Sequence, residues 1–337
     1  MVERRKAVKT PSRAPIDLVK EITKQHGDDA AMVLGDPQLT IELKGVCSTQ
    51  CATLDVAIGR GGVPYGRLTV LAGPEGGGKT SVALHICAEC QRQGGIAYYL
   101  DTEYKLDPKY AGNLGVKTNE LLISQPLHLE QCLDVIETSI DKVAKWRTEK
   151  KVEVPMVVIL DSMTAAPAKC ELEGSYDDRH YAPQANVMTL GLKKLIGKVS
   201  KEKVALIFIS QLREKVGVVF GAKEDTTCGR APKFYASLGI NIKRKGKIEG
   251  RDDAHICEAY VWKNQIAPPF KRAEFIMEYG KGIDTIESIW RAAKDVGVIT
   301  GGSGGWYEFD GQKIQGIKQF REEPDLIEQV RKRWCSS

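Results

Sequence analysis

One octapeptide constrains the fold of this chain more than any other feature: Gly73-Pro74-Glu75-Gly76-Gly77-Gly78-Lys79-Thr80, followed by Ser81. It follows the apolar run Leu68 to Leu71, opens a helical stretch and has the spacing G-x-x-x-x-G-K-T, which is the context a phosphate-binding loop requires. Glycines let backbone N–H groups converge on phosphate oxygens, and the helix behind them adds the positive end of its dipole. Lys79 is placed to reach the β- and γ-phosphates of ATP, and Thr80 to ligate Mg²⁺.

Such a loop belongs on a sheet, and the chain supplies one. Strand-like runs at Leu68 to Leu71, Ile96 to Leu100, Leu121 to Ser124, Met156 to Leu160 and Val204 to Ser210 alternate with helical stretches. That alternation predicts an α/β core, doubly wound, with a mainly parallel sheet. Met188, Leu192, Leu195, Ile196 and Val199 recur at helical spacing and mark a crossover helix. Ser237 to Lys243, Ile256 to Lys263 and Ala273 to Tyr279 follow without helical patterns between them, and are expected as antiparallel edge strands.

Met156 to Asp161 is the element that pairs with the loop: an apolar strand ending on a carboxylate, Asp161, placed to hold the Mg²⁺ shell through water. Hydrolysis also needs a group to orient or deprotonate water. Glu103, in Leu100-Asp101-Thr102-Glu103, is favoured over Asp101 on topology alone, with a capping or surface role open for either.

Two pieces flank the core. Residues 1–35 hold a basic arm and a short amphipathic helix with Ile16, Val19 and Ile22; residues 36–280 form the ATPase core; residues 281–337 read as a small α+β module with a terminal helix near Pro324 to Trp334. The net charge of +5 permits nucleic-acid binding without demanding it. No apolar run approaches the roughly 20 residues needed to cross a bilayer, and the basic start has no apolar h-region behind it, so a cytoplasmic protein with no membrane partner is expected. Nine scattered cysteines do not suggest a disulfide framework. His85, Cys87 and Cys90 lack the second ligand pair of a structural zinc site, and ordinary core or surface thiols are the better reading.

Beyond the phosphate loop, the blocks Ser48 to Gly66, Asp101 to Tyr110, Glu171 to His180, Phe208 to Gly229, Lys233 to Ser237 and Val261 to Phe275 resemble the bacterial RecA recombinase family, with a match from about Glu21 to about Phe320. The resemblance implies a DNA-stimulated ATPase that forms helical filaments of itself on single-stranded DNA and catalyses homologous pairing and strand exchange with duplex DNA. It gives Glu103 the role of catalytic carboxylate, Asp107 and Tyr110 an adenine-side contact, and Gln211 that of a γ-phosphate sensor. Two DNA-facing loops are implied near Glu171 to Pro183 and Arg213 to Arg230. In and behind them, Arg179, His180, Lys193, Arg213, Lys215 and Arg230 suit phosphate contacts, while Val218 and Phe220 suit wedging between bases. Lys313 resembles a duplex-gathering residue of the C-terminal module.

The same resemblance places ATP between subunits. Lys263 then reaches the neighbour's phosphates, and Gln265 stands where the family has a second lysine, which implies slower or less cooperative hydrolysis. Lys233 and Phe234 match the interface segment that couples sites, and the helix at Ile16, Val19 and Ile22 the polymerisation helix. Repressor and recombination-mediator proteins are further implied partners. The basic Arg331-Lys332-Arg333 near the end, without an acidic tail, implies easier duplex binding. A ring-helicase motor, which shares the core and Asp161, and a non-catalytic filament scaffold are the competing readings.

Overall fold

The runs Met156 to Leu160 and Val204 to Ile209 show no polar alternation because both faces of their sheet are covered. The computed structural model describes residues 14–27, 30–33, 43, 45–175, 181–211, 213–214, 224–225 and 228–335. The chain divides into two compact units, Met1–Leu43 and Lys44–Ser337. In the first, helix α1 (Ala14–His26) exposes Ile16 and half-buries Val19 and Ile22.

The second unit is built on a nine-stranded sheet. Its strands are β1 (Arg67–Gly73), β2 (Ile96–Asp101), β3 (Leu122–Ser124), β4 (Met156–Asp161), β5 (Val204–Gln211), β6 (Leu238–Ile248), β7 (Arg251–Asn264), β8 (Arg272–Glu278) and β9 (Gly282–Ile283). Their order across the sheet is β9-β8-β7-β6-β1-β5-β4-β2-β3. From β6 to β3 all neighbours pair parallel, and from β6 to β9 all pair antiparallel. One expectation is corrected here: the first of the three late strands is parallel to the core, with Leu238 opposite Thr69. The connection 212–237 is long enough to cross β1, so β6 enters in the core's direction; only its hairpin partner β7 must run back.

Side chains leave a strand to alternate faces, which sorts the buried residues into two layers. Leu71, Tyr99, Ile159 and Ile207 face the layer of α2 (Ala52–Ile58) and α3 (Lys79–Arg92). Leu68, Leu100, Val158 and Phe208 face α5 (Leu129–Lys150) and α6 (Pro183–Lys201), the latter through Met188, Leu192, Leu195 and Val199. The short α4 (Pro108–Asn113) follows β2, and α7 (Ala231–Tyr235) precedes β6.

The C-terminal part contains α8 (Thr285–Asp295), a small antiparallel sheet of β10 (Thr300–Gly301), β11 (Trp306–Phe309) and β12 (Gln312–Gln315), then α9 (Gly316–Glu322) and α10 (Pro324–Cys335). Trp290, Phe309, Ile314, Phe320, Leu326 and Val330 form its own apolar cluster, which also takes in Ala52. A hydrogen bond seats it on the core, Ala52 N donating to Ser288 Oγ at 3.0 Å, and just before α8 the edge strand β9 is tied to α3, Ile283 N donating to His85 Nε2 at 2.9 Å. His85 Nδ1 lies 2.8 Å from Gln50 Oε1, so both ring nitrogens are engaged, and burial pushes its pKa down to about 4. Among the described residues no cluster of His, Cys, Asp or Glu is arranged to hold a metal by itself, and no helix is long and apolar enough to cross a membrane.

Candidate nucleotide site

The phosphate loop takes its shape from a close approach between β1 and β6. A Cβ on Gly73 would stand 2.0 Å from the Ile242 carbonyl oxygen, and one on Gly77 2.7 Å from the same atom. Gly73, Gly76 and Gly78 also have positive φ, at 147°, 67° and 97°, and Gly78 caps α3. Together with Pro74 and Glu75 these residues bend the chain so that α3 begins at Lys79 with its first N–H groups free of the helix ladder. Lys79 is buried, and its Nζ donates to the carbonyls of Gly73 at 3.0 Å and Pro74 at 2.7 Å. Burial lowers the pKa of this ammonium, against the opposing pull of Asp161, Glu103 and Glu75.

Four parallel strands end around this loop. Asp101 and Asp161 are register partners at the ends of β2 and β4, and Gly73 faces Gln211 between β1 and β5. Thr80 Oγ1 donates to Asp161 Oδ2 at 2.7 Å, and Tyr99 OH donates to the same oxygen at 2.5 Å. Burial raises the pKa of Asp161, while these two hydrogen bonds oppose the shift. A hydroxyl and a carboxylate in contact make an all-oxygen, hard donor set, which fits Mg²⁺ completed by water and phosphate oxygens.

The two candidate acids have different surroundings. Asp101 is consumed by its own turn: Oδ1 accepts from Glu103 N at 3.2 Å, and Oδ2 from Leu106 N at 3.1 Å and Gln125 Nε2 at 3.4 Å. Glu103 Oε1 accepts from Gln211 Nε2 at 2.7 Å and Ser162 Oγ at 2.9 Å, with Lys105 Nζ 3.4 Å from Oε2. Thr102 and Ser162 clamp the ends of β2 and β4 together, the Thr102 hydroxyl donating to Ser162 O at 2.8 Å and accepting from Ser162 N at 2.9 Å. Of the two residues expected to contact adenine, Tyr110 has its OH 2.6 Å from Ser81 Oγ, which ties α4 to the first turn of α3. Asp107 is exposed and caps α4, accepting from Lys109 N at 2.8 Å.

The remaining candidates lie elsewhere. Lys263 sits opposite Gly239, which pairs with Val70, and its Nζ donates to the carbonyls of Lys233 at 2.7 Å and Phe234 at 2.8 Å. Three interface candidates are thereby joined: Lys263 caps the last turn of α7, which carries Lys233 and a Phe234 side chain that is 73% exposed. Gln265 is exposed, and its backbone N–H bonds to Ser237 O. Lys193 on α6, Arg230 at the start of α7 and Lys313 on β12 are exposed on three separate elements. Arg213 is described only in its backbone, opposite Asp225 in a two-residue ladder; Arg179, His180, Lys215, Val218 and Phe220 lie outside the described residues.

Reading the residues in order missed Tyr99, Thr102, Ser162 and Lys105. A signal existed for Tyr99: it lies two residues before Asp101, so once β2 and β4 pair in register it shares a sheet face with Asp161.

A family model described as the RecA N-terminal domain matches residues 15–284. A Protein RecA of Chlorobium limicola is 42% identical over 93% of this chain and 88% of its own length. That of Clostridium botulinum is 43% identical over 91% of this chain and 84% of its own, and that of Syntrophobacter fumaroxidans 39% over 97% and 94%. Among solved structures, the crystal structure of the RadB recombinase has a TM-score of 0.52 at 20% identity, covering 71% of this chain and 98% of that one; at this identity the likeness concerns the fold.

Proposed function

The chain belongs to the RecA family, and from that membership we propose how its residues divide the work of an ATP-hydrolysing recombinase acting in DNA recombination and repair. The observation that carries the assignment is the convergence of Lys79, Thr80, Asp161, Glu103 and Gln211 at the carboxyl ends of adjacent parallel strands, where open α/β sheets bind their ligands.

The ATP phosphates lie along the N–H groups of residues 73–81, and Lys79 exchanges its two carbonyl partners for phosphate oxygens. Thr80 and, through water, Asp161 would hold Mg²⁺, and the ion would supply positive charge to offset that of the phosphates. Glu103 orients the attacking water and accepts its proton. It suits that task better than Asp101, whose oxygens are both occupied by its own turn. The Gln211 amide contacts Glu103 and is placed to exchange that contact for the γ-phosphate, carrying nucleotide state into the segment that follows β5. Tyr110 and Asp107 flank the base.

DNA contacts are assigned to Arg179, His180, Lys193, Arg213, Lys215, Val218, Phe220 and Arg230, and duplex gathering to Lys313. Ile16, Val19, Ile22, Lys233, Phe234, Lys263 and Gln265 are assigned to contacts between subunits of a helical filament. In this division residues 1–35 serve polymerisation, 36–280 the ATPase and 281–337 duplex capture, in a cytoplasmic protein that also meets repressor and mediator proteins.

The test is ATP hydrolysis with Mg²⁺, with and without single-stranded DNA, on wild type and Glu103→Gln. DNA should stimulate turnover, and the substitution should lower it by about 10²- to 10⁴-fold. Turnover indifferent to DNA would sink the recombinase mechanism, and a fully active variant would sink the assigned carboxylate.

A further inference from the structure

Strand β2 carries one polar atom in a place where its neighbours are apolar. Tyr99 is 1% exposed and belongs to the apolar layer between the sheet and α3, in company with Val82, Ile86 and Ile159. A phenylalanine would fill the same volume. The hydroxyl must find a partner, because an unpaired buried O–H is costly. Among the described residues its partner is Asp161 Oδ2, at 2.5 Å.

Topology makes this contact possible. Tyr99 is the register partner of Ile159, so Asp161 is its diagonal neighbour on the same sheet face, within reach of a long aromatic side chain. Thr80 approaches the same face from the first turn of α3. The carboxylate therefore receives two hydroxyl donors on Oδ2 and, among the described residues, none on Oδ1. An aspartate's terminal torsion is broad, so a single donor leaves the carboxylate free to rotate. Donors from α3 and β2, two separate elements, hold Oδ2 in place and, among the described residues, leave Oδ1 without a donor.

We propose that Tyr99 is a positioning residue for the metal-binding end of the site. Its hydroxyl locks the Asp161 carboxylate so that Oδ2 keeps the Thr80 proton, leaving the Thr80 lone pairs for the ion, while Oδ1 faces the ion's water shell. This inference rests on the assignment of Thr80 and Asp161 to Mg²⁺. It makes the hydroxyl matter for metal-dependent nucleotide binding and for nothing else: the phosphate loop, Lys79 and Tyr110 bind nucleotide without it.

The experiment measures binding of a fluorescent ATP analogue to the full chain, in Mg²⁺ and in EDTA, for wild type, Tyr99→Phe, Thr80→Val and the double variant, alongside thermal unfolding. Tyr99→Phe should weaken binding about tenfold in Mg²⁺, as expected for a hydrogen bond to a charged group. It should also raise the Mg²⁺ concentration needed for half-maximal binding, and leave both the EDTA affinity and the unfolding temperature near wild type. In the Thr80→Val background it should add little, because the two hydroxyls act on one carboxylate. An equal loss in Mg²⁺ and in EDTA would reduce Tyr99 to a packing residue and overturn the proposal, as would full retention of Mg²⁺-dependent binding in Tyr99→Phe. If Thr80→Val itself leaves the Mg²⁺ dependence intact, the metal assignment beneath the proposal fails instead, and the two failures are distinguishable.

Discussion

The two halves of the sheet put side chains to different use. In the parallel half every residue of β4 is buried, and the strands all finish on one side, so Gly73, Asp101, Asp161 and Gln211 meet at their ends. In the antiparallel half β7 shows alternating burial through its centre, and much of its outer face is tied by ion pairs such as Lys243–Glu258, Arg272–Glu258 and Arg251–Glu278. Antiparallel strands finish on alternate sides, which scatters their ends. Lys263 accordingly leaves β7 away from the phosphate loop and caps α7. One half brings its polar strand ends together within its own chain; in the other, Lys263 is spent on α7, and under the proposed division of roles it and Gln265 would meet a nucleotide only through a second subunit.

The seam between the halves offers the severest test. In Gly73→Ala a Cβ 2.0 Å from Ile242 O would force β1 and β6 apart at the loop, in a backbone conformation that already disfavours a side chain. ATP affinity should fall more than about a hundredfold, the scale expected when positioning is disturbed by about an ångström. Retained affinity, measured by equilibrium binding, would mean that the loop does not depend on the antiparallel half for its shape.

A second link between the halves is His85, which joins α3 to β9 as a neutral imidazole. Its folded-state pKa of about 4 lies below the ordinary 6.5, so the unfolded chain binds more protons between those values. The contribution of His85 is fully present above pH 6.5 and is lost as pH falls through 4, by about 3 kcal/mol at most. Buried Asp55, whose pKa burial raises to about 7, acts with opposite sign: its contribution is lost as pH rises through that value. Being common to both proteins, it cancels when denaturant stability is compared between wild type and His85→Gln. Wild type should lose more stability than the variant on acidification. Parallel pH curves would show that the imidazole does not titrate in this link.

The smallest effect belongs to the antiparallel half. Gln265→Lys should raise DNA-dependent ATP turnover several-fold by restoring a cation beside the neighbour's phosphates, a fraction of what a full arginine finger supplies. Steady-state assays that show no gain would count against Gln265 lying at that interface.

How much was legible can be judged residue by residue. The phosphate loop, Asp161 and the crossover helix are local patterns, and each occupies the element its spacing implies. The strand at Leu238 was readable but its direction was not, since direction depends on whether the preceding connection returns to the end of the sheet where β1 begins. The division between Asp101 and Glu103 was equally hidden: two carboxylates two residues apart differ only in which donors reach them, and the donors to Glu103 come from Ser162 and Gln211, far along the chain.

The sequence by itself determined the fold class and the nucleotide chemistry, because glycine spacing, apolar periodicity and strand-terminal carboxylates act over a few residues; the family was legible only through the resemblance of longer blocks such as Asp101 to Tyr110. Tertiary structure alone decided that Tyr99 and Thr80 share one oxygen of Asp161, that Gln211 touches Glu103, and that Lys263 is held by the carbonyls of Lys233 and Phe234. Each of these is a hydrogen bond between residues tens of positions apart, and its formation depends on strand register and sheet order, which arise only when the two apolar layers close on the sheet.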